Sequence, residues 1–250
     1  MLTAHGVSHP GRVRKANEDR CDLDLGLGLF VVADGMGGHN AGEVASQLAV
    51  ETIMSFMRRT QEGDDVTWPY GIDRNLTFHA NRLITAVRLA NRRVFRTAES
   101  RDELSGMGTT VVAGFVEAGQ FVYANVGDSR IYSFVDGTLT QLTTDDSWVA
   151  TLQSAGALAP GEKHPMRHVL TNVVGAREEI EVQLGDRTLA DGEVILFCSD
   201  GLHGEITDAQ VAEVLGREPD VVAAADALVA LVLEQPARDN VTALVVRYQA

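Results

Sequence analysis

The sequence predicts an α+β fold, in which helices and antiparallel strands occupy separate stretches of the chain. Two long amphipathic patterns come early, short runs of apolar and β-branched residues fill the middle, and helical patterns return late. This order differs from the regular strand–helix alternation that predicts a parallel sheet. No linker, repeat or low-complexity stretch interrupts the 250 residues, so we expect a single domain over 1–250.

The early part of the chain predicts one buried strand and two helices. The run LGLFVVA at 27–33 is typical of a buried strand. A helix is expected from Asn40 to Arg58, because its first residue and Glu43 form a capping-box pattern. A loop is expected over 60–75, followed by a second helix whose apolar residues recur every three or four positions over 76–94.

The middle of the chain predicts an antiparallel meander, and Asp136-Gly137 is its strongest hairpin signal. Its strands are expected at 109–116, 121–126, 131–135 and 138–142. Beyond them we expect a short helix at 148–155, strands at 180–184, 194–198 and 242–248, and helices at 208–215 and 221–233.

Composition narrows the class of protein. The net charge of −14 disfavours nucleic-acid binding, which normally needs a basic face, and we interpret Arg58-Arg59 and Arg92-Arg93 as solvated helix faces. Without a long apolar run or a signal-like N-terminus, the chain is expected to be cytoplasmic with no membrane partner. Cys21 and Cys198 are expected to be buried thiols and do not indicate zinc.

Four aspartates precede turn-forming residues: Asp34-Gly35, Asp128-Ser129, Asp200-Gly201 and Asp239-Asn240. Any one of these pairs alone is well explained as a turn former. Three of the four follow predicted strands, however, where carboxylates and backbone carbonyls can converge on a hard cation. We therefore expect Asp34, Asp200 and Asp239, with the Gly35 carbonyl, to hold two Mg²⁺ or Mn²⁺ ions that activate water and clamp a phosphoryl group.

Two neighbouring segments add further candidates. His39 closes the glycine-rich loop after Asp34 and is a candidate general acid, although an exposed loop histidine explains it equally well. Arg14 can offer a bidentate fork to a phosphate, and Glu18 and Asp19 could orient metal-bound waters. If this segment stood alone, a solvated charged loop would be the simpler interpretation.

Six segments, taken in order, resemble the motifs of the metal-dependent protein phosphatase 2C family, in its bacterial single-domain form. The resemblance extends from about residue 5 to 248, and the order of the motifs makes it specific. The segments are Arg14 with Asn17-Glu18-Asp19, then 32–39 (VADGMGGH), 105–110 (SGMGTT), 125–130 (NVGDSR), 198–202 (CSDGL) and 239–242 (DNVT).

The resemblance implies two antiparallel sheets flanked by helix pairs in α-β-β-α layers. It also implies hydrolysis of phosphoserine and phosphothreonine in proteins by a metal-bridging water, without a phosphoenzyme. The roles that it implies are Asp34 bridging both metals, the Gly35 carbonyl completing one site, Asp200 and Asp239 completing the other, Glu18 and Asp19 acting through water, Arg14 holding phosphate, His39 as general acid, Asp128 with Asp200 holding a third ion, and Asn240 supporting the cluster from outside.

One motif departs from the family pattern, because Asp145-Asp146-Ser147 stands where bacterial members often have Asp-His-Ser. The segment at about 145–175 corresponds to the family's flap, in which Arg167 and His168 could meet a phosphopeptide. The implied protein is a signalling enzyme, a monomer that opposes a bacterial Ser/Thr kinase. The alternatives are a catalytically silent phosphoprotein-binding regulator of the same fold and a two-metal phosphodiesterase or nuclease, which the lack of a basic surface disfavours.

Overall fold

The computed structural model describes residues 1–38, 41–61, 68–159, 162, 164–166 and 168–250. The strands are β1 (Leu2–His9), β2 (Asp19–Asp24), β3 (Leu29–Met36), β4 (Gly108–Thr109), β5 (Val111–Glu117), β6 (Gln120–Val126), β7 (Arg130–Val135), β8 (Thr138–Gln141), β9 (Gln183–Thr188), β10 (Val194–Cys198) and β11 (Val241–Tyr248). The helices are α1 (Ala41–Arg59), α2 (Phe78–Ser100), α3 (Trp148–Ser154), α4 (Asp200–His203), α5 (Asp208–Arg217) and α6 (Val221–Leu233), with a 3₁₀ turn at Asp102–Leu104.

The strands form two antiparallel sheets. One has the order β1-β11-β10-β7-β8, and the other has the order β2-β3-β5-β6-β9 with β4 paired to the end of β3. Chain neighbours β2 and β3, β5 and β6, and β7 and β8 pair directly, whereas β1 pairs with β11 at the other end of the sequence. The predicted α+β class is confirmed.

The two sheets lie face to face between two helical layers, and successive apolar side chains of the central strands point alternately to the helices and to the other sheet. In β3, Leu29 and Val31 pack with α1 and α2, whereas Phe30 and Val32 point into the space between the sheets. There Phe30 meets Phe197 of β10, with ring centroids 6.0 Å apart. The outer face of β10 and β11 packs against α5 and α6. The expected α-β-β-α layering is confirmed, because a strand buried on both faces needs apolar partners on both. None of the described helices is long and apolar enough to cross a membrane.

The predicted meander is wrong in one respect. β5 and β6 pair in one sheet, but β7 and β8 pair in the other, so the chain crosses the sandwich at Gly127–Ser129. A short apolar run looks the same whether the next strand pairs beside it or across a core, and its pattern therefore could not distinguish the two cases. The crossing places Asp128 at the rim of the sandwich.

Other boundaries also differ from the predictions. The strand expected at 180–184 instead spans Gln183–Thr188, and β1, β2 and β4 were not predicted because they lack an apolar run. β3 continues through Asp34 to Met36, so the predicted Asp34-Gly35 turn is wrong. The capping residue Asn40 lies outside the described residues. Both cysteines are free thiols, with Cys198 buried and Cys21 half-buried.

Candidate metal centre

The four aspartates come from both sheets and meet at one rim of the sandwich. Asp34 lies near the end of β3, Asp128 in the crossing before β7, Asp200 at the start of α4 and Asp239 just before β11. Their closeness shows in the pKa of Asp34, which burial raises well above its usual range and which repulsion from Asp19, Asp200, Asp128 and Asp239 raises further.

Backbone hydrogen bonds fix the part of β3 that carries Asp34. The Asp34 N–H donates to Thr110 Oγ1 at 3.0 Å, and its carbonyl accepts from the Thr110 N–H at 2.8 Å and from Thr109 Oγ1 at 2.8 Å. The next residue must be glycine, because a Cβ at Gly35 would collide with the carbonyl oxygen of Gly42 in α1. β3 and the start of α1 are therefore in direct contact beside the aspartates.

Asn240 joins the Asp239 segment to the loop between β1 and β2. Its Oδ1 accepts from the Glu18 N–H at 2.8 Å, and its Nδ2 donates to the carbonyls of Pro10 at 3.1 Å and Ala16 at 2.9 Å. Asn240 is buried, and its three hydrogen bonds are partly shielded from water. They hold the loop that contains Arg14 against Asp239.

Asp19 lies behind the rim, buried between the sheets. Its Oδ2 accepts from the hydroxyls of Ser199 and Thr242, each at 2.7 Å. The other oxygen, Oδ1, is buried and has no hydrogen-bond partner among the described residues, and the same holds for Glu18 Oε1. Burial raises the pKa of both carboxyls. A cation or its ordered waters would supply the partners that these two buried carboxylate oxygens lack.

Negative charge is concentrated at this rim. Burial, followed by repulsion from Asp239, raises the pKa of Asp200. Burial, followed by repulsion from Asp200 and Asp145, raises the pKa of Asp128 to about 7. A divalent cation would favour the ionised form of each group, and hard oxygen donors suit Mg²⁺ and Mn²⁺. The residues present therefore fit such ions in their chemistry.

The side chains do not form a complete ligand set. Among the described residues, no group of three or more Asp, Glu, His or Cys side chains is arranged to hold a metal ion. Asp239 instead accepts from Arg14 Nη2 at 2.8 Å, with side chains 43% and 52% exposed respectively. The structure thus brings Arg14 to the aspartates, while the ligand assignments remain predictions. His39 and Arg167 lie outside the described residues.

Asp146, where the sequence departs from the family pattern, connects the predicted flap to the crossing that bears Asp128. Its Oδ2 accepts from the Gly127 N–H at 3.1 Å and from Asn172 Nδ2 at 2.8 Å, and its Oδ1 accepts from Gln183 Nε2 at 3.1 Å. Its N–H donates to the Gly127 carbonyl at 2.8 Å. The Asp146 carboxylate therefore holds the predicted flap to this crossing.

Sequence reasoning missed several polar groups that surround the aspartates. The Thr110 hydroxyl lies 2.7 Å from that of Ser129, and His203 Nε2 lies 3.0 Å from the Asp128 carbonyl oxygen. Burial lowers the pKa of His203 to about 4, so the ring is neutral at pH 7. Thr110 and Ser129 lie within quoted motifs, but a motif does not tell which hydroxyl meets which.

Comparison with known proteins agrees with this fold. Residues 6–241 match the family described as Protein phosphatase 2C. The chain is 36% identical over 240 residues to the serine/threonine protein phosphatase PstP of Mycobacterium tuberculosis, covering 95% of this chain and 43% of that protein. It is 31% identical over 245 residues to the serine/threonine phosphatase stp of Listeria welshimeri, covering 94% and 92%.

A solved structure shows the same architecture. The catalytic domain of the serine/threonine protein phosphatase PstP, in complex with two manganese ions, superposes with a TM-score of 0.83 at 34% identity, covering 100% of this chain and 99% of that one. The chain therefore belongs to the protein phosphatase 2C family, and the resemblance stated from the motifs is confirmed. It spans less than half the length of the mycobacterial relative and nearly all of the Listeria one.

Proposed function

We propose that this protein removes phosphate from phosphoserine and phosphothreonine in other proteins, in a metal-dependent reaction. The observation that supports this most is the meeting of Asp34, Asp128, Asp200 and Asp239 at one rim, beside the cation of Arg14. Relatives that carry the name serine/threonine phosphatase add support, since they share this family and fold.

The rim residues would hold Mn²⁺ or Mg²⁺. Asp34, the Gly35 carbonyl, Asp200 and Asp239 would hold two ions, and Asp128 with Asp200 would hold a third. Glu18 Oε1 and Asp19 Oδ1, which are buried and lack donors among the described residues, would accept hydrogen bonds from the surrounding waters. When bound, such ions lower the pKa of a water and offset the negative charge of the phosphoryl group.

Arg14 would bind the phosphate. Its pKa is raised by the hydrogen bond and charge of Asp239, so the guanidinium stays charged at every working pH. One of its five N–H donors is engaged by Asp239, and others can meet two phosphate oxygens. Asn240 would support this from outside by fixing the Arg14 loop. His39 remains our proposed general acid.

The proposal is tested by hydrolysis of p-nitrophenyl phosphate and of a phosphothreonine peptide with Mn²⁺. We expect activity that EDTA abolishes and that Asp34→Ala lowers at least about a hundredfold, because an electrostatic site is lost. Asp186→Asn is the matched control, since it removes one exposed aspartate in β9 away from the rim. Activity should be normal in that variant.

Three other outcomes would contradict the proposal. Binding of the phosphopeptide without turnover would favour a silent regulator. Hydrolysis of bis-p-nitrophenyl phosphate but not of the monoester would favour a phosphodiesterase. An equal loss of activity in the Asp34 and Asp186 variants would show that the rim aspartates are not needed for the reaction.

Partners and location are further proposals. We infer that the protein is a cytoplasmic monomer and that it opposes a bacterial Ser/Thr kinase. We also infer that it forms a single domain, with the flap at about 145–175 beside the rim. Phosphoproteomics of a deletion strain and of an Asp239→Asn strain tests the partner, because substrate sites should rise in both. Sedimentation velocity tests the monomer, and cell fractionation tests the location.

A further inference from the structure

Arginines that are far apart in sequence come together on the outer helical layer. A groove of about 380 Å³ lies between the two helices. It is lined by Arg59 at the end of α1 and by Arg92, Arg93 and Arg96 of α2. Phe56 and Leu89 line the same groove and supply its apolar part. Arg58-Arg59 and Arg92-Arg93 had been interpreted as separate solvated faces. The packing of α1 on α2 places Arg59 and the second pair on one surface, whereas Arg58 pairs with Asp24.

The charge of this surface is opposite to that of the protein. The chain as a whole carries −14, whereas α2 contains five arginines and one acidic residue, Glu99. Arg93 donates to Thr52 at 3.1 Å and forms a 3.4 Å ion pair with Glu51, which neutralises part of the groove. Arg92 and Arg96 are exposed and make no hydrogen bond or ion pair with the described residues.

The groove is separate from the aspartate rim. α1 begins at Ala41, whose neighbour Gly42 contacts Gly35, and Arg59 follows 18 residues later along the helix. A rise of about 1.5 Å per residue puts Arg59 about 27 Å from that end, and Thr52, the α1 residue of the groove nearest to it, about 17 Å away. A molecule in the groove would therefore leave the rim open.

We propose that this groove binds an acidic peptide segment of a partner protein. Guanidinium groups pair with carboxylates through two parallel hydrogen bonds, and the segment would place its carboxylates on Arg92 and Arg96. The apolar part formed by Phe56 and Leu89 accepts an apolar side chain between them. The inference goes beyond the proposed function and does not depend on it, because binding is measured without turnover.

Charge favours a short peptide over a larger polyanion. Nucleic acid and anionic membranes present negative charge over an extended surface, and a protein of net charge −14 repels such surfaces as a whole. A peptide segment needs only the local field of the groove. Screening by salt should weaken its binding, because the arginines are exposed to solvent.

Fluorescence anisotropy with a labelled peptide of Asp and Glu residues around a single Leu tests the proposal. We expect binding that weakens at least about tenfold in Arg92→Glu/Arg96→Glu, since two attractive contacts become repulsive. The matched control is Arg74→Glu/Arg177→Glu, which makes the same charge change at two exposed arginines outside the groove and should stay within about twofold of wild type. Replacing Leu by Ser in the peptide should also weaken binding.

Further measurements separate docking from misfolding. Arg92→Gln/Arg96→Gln, checked by circular dichroism, removes the charges without adding repulsion and should also lose the peptide. Hydrolysis of p-nitrophenyl phosphate should be unchanged in both groove variants; if the protein has no such activity, the peptide result still stands.

The proposal is overturned by no peptide binding to the wild-type protein or by equal loss in the groove and control variants. It is equally overturned if the protein binds phosphatidylserine vesicles or single-stranded DNA more tightly than the peptide, and if that binding requires the groove arginines. Sedimentation that reveals a dimer lost in the groove variants would assign the surface to a second copy of this chain instead.

Discussion

Asn240→Ala is expected to loosen the loop that holds Arg14 beside Asp239. The buried amide makes three hydrogen bonds, to the Glu18 N–H and to the carbonyls of Pro10 and Ala16, all between 2.8 and 3.1 Å. Alanine can replace none of them and leaves one donor and two acceptors under-satisfied. At about 1 kcal/mol for each bond, the free energy of unfolding should fall by about 3 kcal/mol.

Urea denaturation followed by tryptophan fluorescence measures this loss, and p-nitrophenyl phosphate kinetics with Mn²⁺ measures its functional effect. Pro10 and Ala16 lie on either side of Arg14, the proposed phosphate-binding residue. The KM for p-nitrophenyl phosphate should therefore rise in the folded variant. Asn75→Ala is the control: Asn75 is exposed, its side chain makes no hydrogen bond with the described residues, and its loss should stay within about 0.5 kcal/mol. A loss below about 1 kcal/mol in Asn240→Ala, with unchanged KM, would refute the inference that Asn240 holds this loop.

Three further predictions concern other contacts. Asp146→Ala removes three accepted hydrogen bonds, so the crossing that bears Asp128, the proposed third-site ligand, is held less firmly. The Mn²⁺ concentration needed for half-maximal activity should rise, and an unchanged Mn²⁺ titration would count against this. Gly201→Ala should destabilise the fold by at least about 2 kcal/mol in urea, since its Cβ would collide with the Asn240 carbonyl oxygen, and wild-type stability would show that the contact relaxes freely. Burial raises the pKa of Cys21 to about 11 and of Cys198 to about 12, so iodoacetamide near pH 8 should label native protein far more slowly than unfolded protein, as mass spectrometry would show; equal rates would contradict thiols protected by burial.

The regular elements were largely predictable because their signals are local. The strand at 27–33, the two long helices and the late helices follow from apolar periodicity within each segment. Polar edge strands such as β1 and β2 escaped, since their residues are half-buried and lack an apolar run. The crossing at Gly127–Ser129 also escaped, because periodicity records that a face is buried and not which sheet buries it.

The site was predictable as a set of residues and not as a geometry. Ordered motifs singled out Asp34, Asp128, Asp200 and Asp239, and the structure brings them to one rim. Their exact neighbours depend on segments far apart in the chain: Arg14 meets Asp239 across 225 positions. The role of Asp146 was likewise unpredictable, because all the side-chain donors that it accepts from come from later segments of the chain.

By itself, the sequence determined the α+β class, the protein phosphatase 2C family and the acidic residues from which a metal site can be built. Those properties depend on residue type and local order. Tertiary structure alone decided that Asp34 lies inside a strand, that Asp146 anchors the crossing, and that Arg59 and Arg92 share one groove. Each of these depends on which surfaces pack together, and packing is decided by partners that no local pattern identifies.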